Sequence, residues 1–102
     1  MPIYLYRLTP PRPTFPADIT AAEAAAMERH FGYWSDQMTR GAAVVFGPVA
    51  DPAGTYGIAI LNVPSEAEAR SICAHDPAVT AKLGFTFGVH EMPNAAIRNA
   101  DA

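Results

Sequence analysis

The chain has one cysteine, Cys73, in 102 residues, which excludes an internal disulfide and a thiolate metal site. It is also poor in charge: 17% of residues are charged, and seven scattered Lys and Arg against ten Asp and Glu leave a formal net charge of -3. A nucleic-acid groove needs a basic face that this balance does not supply. No apolar run reaches the roughly 18 residues of a membrane span. The opening Met-Pro-Ile-Tyr lacks the basic and apolar regions of a signal peptide. The expectation is therefore a cytoplasmic protein with neither nucleic acid nor membrane as partner. Gly-rich phosphate loop, HExxH, nucleophile elbow and CxxC are all missing, and the three histidines show no ligand spacing, so neither metal nor cofactor is expected. Nor is there an internal repeat.

What is present is apolar. Half the residues are hydrophobic, enough for one globular core. One domain over residues 1–94 is expected, with a small, polar, flexible tail over 95–102. The centre of the chain, Gly41 to Val63, holds two apolar runs, Ala42–Phe46 and Thr55–Val63, around Asp51-Pro52-Ala53-Gly54. Asp first, Pro second and Gly fourth suit a type I turn, so the stretch reads as a β-hairpin. In the second run Tyr56, Ile58 and Ile60 alternate with Gly57, Ala59, Leu61 and Val63, and neither set is polar. A strand with one wet face alternates apolar with polar residues, so both sides of this one need cover. Pro2–Leu8 has the same character, with Ile3 and Leu5 on one side and Tyr4, Tyr6 and Leu8 on the other.

Thr9–Ile19 carries four prolines and cannot be regular helix or central strand. It reads as a semi-rigid flap in extended polyproline form that brings Arg12 or Phe15 to a ligand, or more plainly as a surface crossover with one anchored aromatic. Thr20-Ala21-Ala22-Glu23 is a capping box opening a helix that runs to about Arg40 and stops at Gly41. Met27, Phe31, Trp34 and Met38 mark one buried stripe, with His30 on the same side. Ser65–Glu68 is a second capping box, for a helix to about Ala74 whose inner face is Ala69, Ile72 and Cys73. Asp76-Pro77 starts a short helical turn ended by Gly84, and Phe85–Met92 is a last strand.

Strand, helix, strand, strand, helix, strand is the split βαβ or ferredoxin-like order of an α+β fold. Right-handed crossovers put both main helices on one face of a four-stranded antiparallel sheet, with Pro48 on an edge strand. The other apolar face is too large to leave wet, and a second copy is its economical cover, giving a homodimer.

The candidate chemistry lies in a few polar residues in apolar surroundings, chiefly His30, Asp76 and Arg12. Taken alone, His30 is more simply a satisfied helix histidine than a catalyst, and Asp76 is accounted for by helix capping. The H-x-x-Y of His30–Tyr33, the G-x-x-x-x-x-G-P of Gly41–Pro48 and Asp76-Pro77 before the last strand together resemble the YCII-related family of small α+β barrel proteins, over roughly residues 2–92. The resemblance implies a ferredoxin-like subunit, a dimeric α/β barrel, and a pocket where a histidine and an aspartate act together, here His30 and Asp76. It also implies acid–base chemistry on a small molecule, the best assigned case being dehydrochlorination of a chlorinated hydroxyquinol. An oriented histidine shuttles protons near neutral pH without a cofactor, which fits elimination, tautomerisation or hydrolysis of an aromatic or enolic substrate. Arg12, Tyr6, Trp34 and Phe15 are the expected substrate-binding residues. A non-catalytic dimer that binds a small molecule or a protein is the alternative. A cofactor-free oxygenase rests on fold analogy alone.

Overall fold

A computed structural model describes residues 2–98, so the last part of the expected tail lies outside the described residues. The elements are β1 (Ile3–Thr9), α1 (Ala21–Thr39), β2 (Ala43–Val49), β3 (Tyr56–Asn62), α2 (Glu66–Ala74), α3 (Pro77–Thr80) and β4 (Thr86–Glu91). Every strand pairing is antiparallel and the sheet order is β2-β3-β1-β4, the expected ferredoxin-like α+β fold.

The local signals explain the boundaries. At the start of α1 the Glu23 N–H donates to the Thr20 hydroxyl at 3.1 Å, and the Thr20 N–H donates to Glu23 Oε1 at 2.9 Å. Such a cap contributes about 1 kcal/mol. At the other end Gly41 has φ +83°, and the Gly41 and Ala42 N–H groups donate to Met38 and Gln37 carbonyls at 3.0 Å. Those crossed bonds close a Schellman motif, which needs the left-handed glycine. In α2, Ser65 accepts from the Glu68 N–H at 3.2 Å. The hairpin turn closes as read: Gly54 N–H donates to the Asp51 carbonyl at 2.9 Å, and Ala53 N–H to the Asp51 carboxylate at 2.8 Å.

β2 runs to Val49, with Pro48 near its end as expected and its ladder continuing through Pro48 opposite Gly57. Pro48 is tolerated because β2 is an edge strand. The proline-rich segment is not extended polyproline. It folds into successive turns, with N–H groups of Phe15, Ala17 and Ile19 donating to carbonyls of Arg12, Thr14 and Pro16. Pro13 is the second residue of the first of these turns, where its fixed φ suits a bend. Finally, the α1 stripe is not buried as a unit. Trp34 is enclosed, but Phe31 is 65% and Met38 44% exposed. The buried arc is rotated toward Glu23 and Ala26, with His30 beside it. Glu23 and His30 find ionic partners in the interior, so the helix settles with two polar groups inward and two large apolar ones at its margin.

The helices cover one face of the sheet. Tyr4, Tyr6, Leu8, Ala59, Leu61 and Val89 are buried there against Trp34, Ala69 and Cys73. Fully burying each large side chain contributes roughly 1.5–3 kcal/mol. On the other face Leu5, Ile58 and Ile60 remain half-exposed and Val45 is 48% exposed, flanked by exposed Arg7 and His90.

Candidate active site

The site is built around the Asp76 carboxylate, which is fully buried. Asp-Pro begins α3, so Asp76 Oδ1 accepts the Ala78 N–H at 2.8 Å, while Pro77 has no N–H to satisfy. The same carboxylate receives three side-chain donors. Tyr6 O–H and Trp34 Nε1–H donate to Oδ2 at 2.7 and 2.9 Å, and His30 Nδ1 lies 2.8 and 2.9 Å from the two oxygens. β1 supplies Tyr6, α1 supplies His30 and Trp34 one turn apart, and all lie on the helix-covered side of the sheet. An ionised carboxylate without partners would be prohibitively costly here. Burial does push Asp76 upward, but the His30 bond and charge and the Trp34 and Tyr6 bonds outweigh it, so its carboxyl is held below the usual range.

The ring of donors fixes the protonation pattern. Burial and the adjacent Asp76 charge push the Tyr6 phenol far upward, so it stays a donor. Indole N–H has no other role available to it. An ionised Asp76 accepts only, so the hydrogen shared with it sits on His30 Nδ1, and Nε2 is the nitrogen turned away from the carboxylate. Burial, then the Asp76 charge, lifts the Cys73 thiol to about 12, which leaves it an inert core residue as expected.

Among the described residues Nε2 has no hydrogen-bond partner, yet it is not an enclosed orphan atom; the His30 side chain is 19% exposed and borders a cavity of about 450 Å³. Leu8, Met27, Phe31, Phe46 and Phe85 line its apolar walls. Pro10, Phe15, Pro16 and Ile19 of the proline-rich segment close one side. Thr55 and Tyr56 are the other lining residues with polar side chains, and no Lys, Arg, Asp or Glu takes part. Such a space suits an uncharged ring compound presenting one proton to His30.

The expected residues therefore separate. His30 and Asp76 come together, although Asp76 reaches the cavity only through His30. Phe15 borders the cavity. Tyr6 and Trp34 do not; they stand behind His30, on the carboxylate. Arg12 lines a different, smaller cavity of about 270 Å³. Its guanidinium is occupied by Glu23, at 2.7 Å to each oxygen, and by the Asp18 carboxylate at 2.9 Å. The Arg12 bonds, then the Thr20 backbone N–H, lower the Glu23 carboxyl to about 2. Phe31 and Phe46 are among the lining residues that the sequence reading missed, with Leu8, Met27 and Phe85. The Phe31 and Phe46 rings meet edge-on with centroids 5.3 Å apart. The signal was the position of Phe31 directly after His30, which the helical period assigned to the core.

Among the described residues no three His, Cys, Asp or Glu are grouped to hold a metal ion, and no helix is long and apolar enough to cross a membrane. The family model described as YCII-related domain matches residues 6–93. Among solved structures, the chain is 18% identical to 5-chloro-2-hydroxyhydroquinone dehydrochlorinase (TftG) from Burkholderia phenoliruptrix AC1100, in complex with 2,5-dihydroxybenzoquinone. That match has a TM-score of 0.54 and covers 88% of this chain and 91% of that one. NE2512, a protein of unknown function from Nitrosomonas europaea, matches with 14% identity and a TM-score of 0.48, over 96% and 95% of the two chains. No curated protein matches.

Proposed function

This chain belongs to the YCII-related domain family, and from that premise we propose that it is a small acid–base enzyme acting on an aromatic or enolic compound. The reading rests on one observation: His30 sets Nδ1 against a buried carboxylate while the same side chain borders an apolar cavity. In the proposed reaction Nε2 removes a proton from a hydroxyl or an acidic C–H of the seated ring. The imidazolium that forms is stabilised by Asp76, whose other donors keep it ionised and fixed. His30 then returns the proton to carbon or to a leaving group, which completes a tautomerisation or an elimination. Chemistry of this kind needs no cofactor. The similar dehydrochlorinase, bound to a dihydroxybenzoquinone, supports a ring compound of that size as substrate. A purely binding module would be favoured by a His30 saturated by backbone partners, but its partners are carboxylate oxygens.

We propose also that the chain works as a homodimer, joined through the uncovered sheet face into a dimeric α/β barrel. Support comes from Val45, Ile58 and Ile60 exposed or half-exposed on that face.

The test of the catalytic reading is chloride release from chlorinated hydroxyhydroquinones, or ketonisation of simple enols. His30→Ala should lower kcat by about a hundredfold or more with the fold intact. Unchanged turnover in that variant removes His30 from the mechanism.

A further inference from the structure

The proline-rich segment between β1 and α1 supplies one side of the cavity and is tied to the rest of the chain at a few points, among them the buried Phe15. Pro11 lies against Gly84 and Pro13 against Gly54, where an added Cβ would come within 3.0 and 3.5 Å of proline atoms. The Phe15 ring meets Phe85 edge-on at 5.3 Å. Among the described residues its one ionic tie is Arg12, which grips Glu23 with two parallel bonds of 2.7 Å and reaches back to Asp18 within its own segment. Glu23 is 4% exposed and belongs to the capping box, so a single carboxylate both starts α1 and anchors the segment. Bidentate arginine–carboxylate pairs fix geometry as well as charge.

We infer that this segment is the size-selecting wall of the cavity and that Arg12–Glu23 is the clamp holding it in place. The inference rests on the cavity being the substrate site. With the clamp closed, Phe15, Pro16 and Ile19 share the lining with Phe46 and limit the bound ring. Arg12 touches no substrate; it is a positioning residue. Prolines keep the segment stiff, so releasing its tie lets it swing as a body rather than collapse into the space.

The experiment compares binding of para-nitrophenol, a naphthol and hydroxypyrene to the full chain by calorimetry. Wild type should favour para-nitrophenol over hydroxypyrene by at least about tenfold. Arg12→Gln and Glu23→Gln should bring that ratio close to one. Gln at position 23 still accepts the Thr20 N–H, so the helix start survives. Arg12→Lys, which keeps the charge but not the fork, should fall between. Circular dichroism and thermal melting check folding, and Phe15→Ala opens the same wall without touching the clamp. An unchanged ratio in Arg12→Gln and Phe15→Ala overturns the inference, as does equal binding of all three phenols by wild type. The ratio is also read in His30→Ala. Selectivity that persists there while turnover is unaffected refutes the acid–base reading alone, whereas lost turnover with a ratio indifferent to the clamp refutes the clamp alone.

Discussion

Asp76→Asn separates the two things this carboxylate does. Asparagine caps helices as well as aspartate, so the Ala78 N–H keeps its acceptor and α3 should still start. The change falls on the other side of the group. Asp76 accepts from His30, Tyr6, Trp34 and Ala78, whereas the amide offers one oxygen and presents an NH₂ where Oδ2 was. Tyr6 can rotate its hydroxyl to accept from that NH₂, but the Trp34 indole can only donate. Its N–H is then left unsatisfied beside a side chain with no solvent exposure, at about 1–3 kcal/mol. Losing the charge also weakens the bonds that remain, since hydrogen bonds to an ionised acceptor are the stronger ones. Even the one unsatisfied donor is a sizeable share of the roughly 5–15 kcal/mol that stabilises a small domain. Urea unfolding should show the midpoint falling with little change in slope. Turnover should fall by about 10²- to 10⁴-fold, because the amide no longer fixes the Nδ1–H tautomer. A stability loss below about 1 kcal/mol together with near-normal turnover would refute the four-donor account.

Phe31→Ala should change stability by no more than about 0.5 kcal/mol, since the ring is 65% exposed, yet raise KM for a ring substrate by about tenfold through its lost edge contact; an unaltered KM removes Phe31 from the binding surface. The carboxyls of Asp76 and Glu23 are both depressed in the folded chain, so on acidification the unfolded state takes up protons first. Their contribution is complete above about pH 4–4.5 and is lost as pH falls through the folded values, which for Glu23 means toward about 2. Urea midpoints measured across that range should decline, and Arg12→Gln should flatten the Glu23 part; a flat profile in wild type contradicts the shifts. Sedimentation at micromolar concentration should give a dimer burying on the order of 2,000 Å² or more, and Ile58→Glu should yield a monomer, whereas a well-folded wild-type monomer ends the sheet-face pairing.

Signals that act over a turn or less were readable in the sequence. Thr20–Glu23, Gly41, Asp51–Gly54 and Asp76-Pro77 each name a backbone geometry, and each is found. What sequence pattern could not supply is which polar atom meets which across the fold. The pairing of His30 with Asp76 spans 46 positions and came from family resemblance, not spacing. Tyr6 and Trp34 looked like lining because their rings are apolar, whereas the polar edge of each is what places them behind His30. The helical period counted Phe31 as core because hydrophobicity alone sets that count, and the inward pull of His30 and Glu23 on their partners has no weight in it.

Two residues carry the lesson furthest. Glu23 and Asp76 each have a complete local explanation as helix-start residues, and a complete local explanation makes a second role look superfluous. A carboxylate, however, has two oxygens and about four acceptor positions, and a cap uses only one or two of them. Both side chains are buried, so the remaining positions had to be filled from elsewhere in the chain. Glu23 fills them with Arg12, and Asp76 with His30, Tyr6 and Trp34. Capping and orienting are therefore not rivals for Asp76. The cap fixes Oδ1 through the backbone of α3, Tyr6 and Trp34 hold Oδ2, and a carboxylate held at both oxygens gives the His30 imidazole a defined direction.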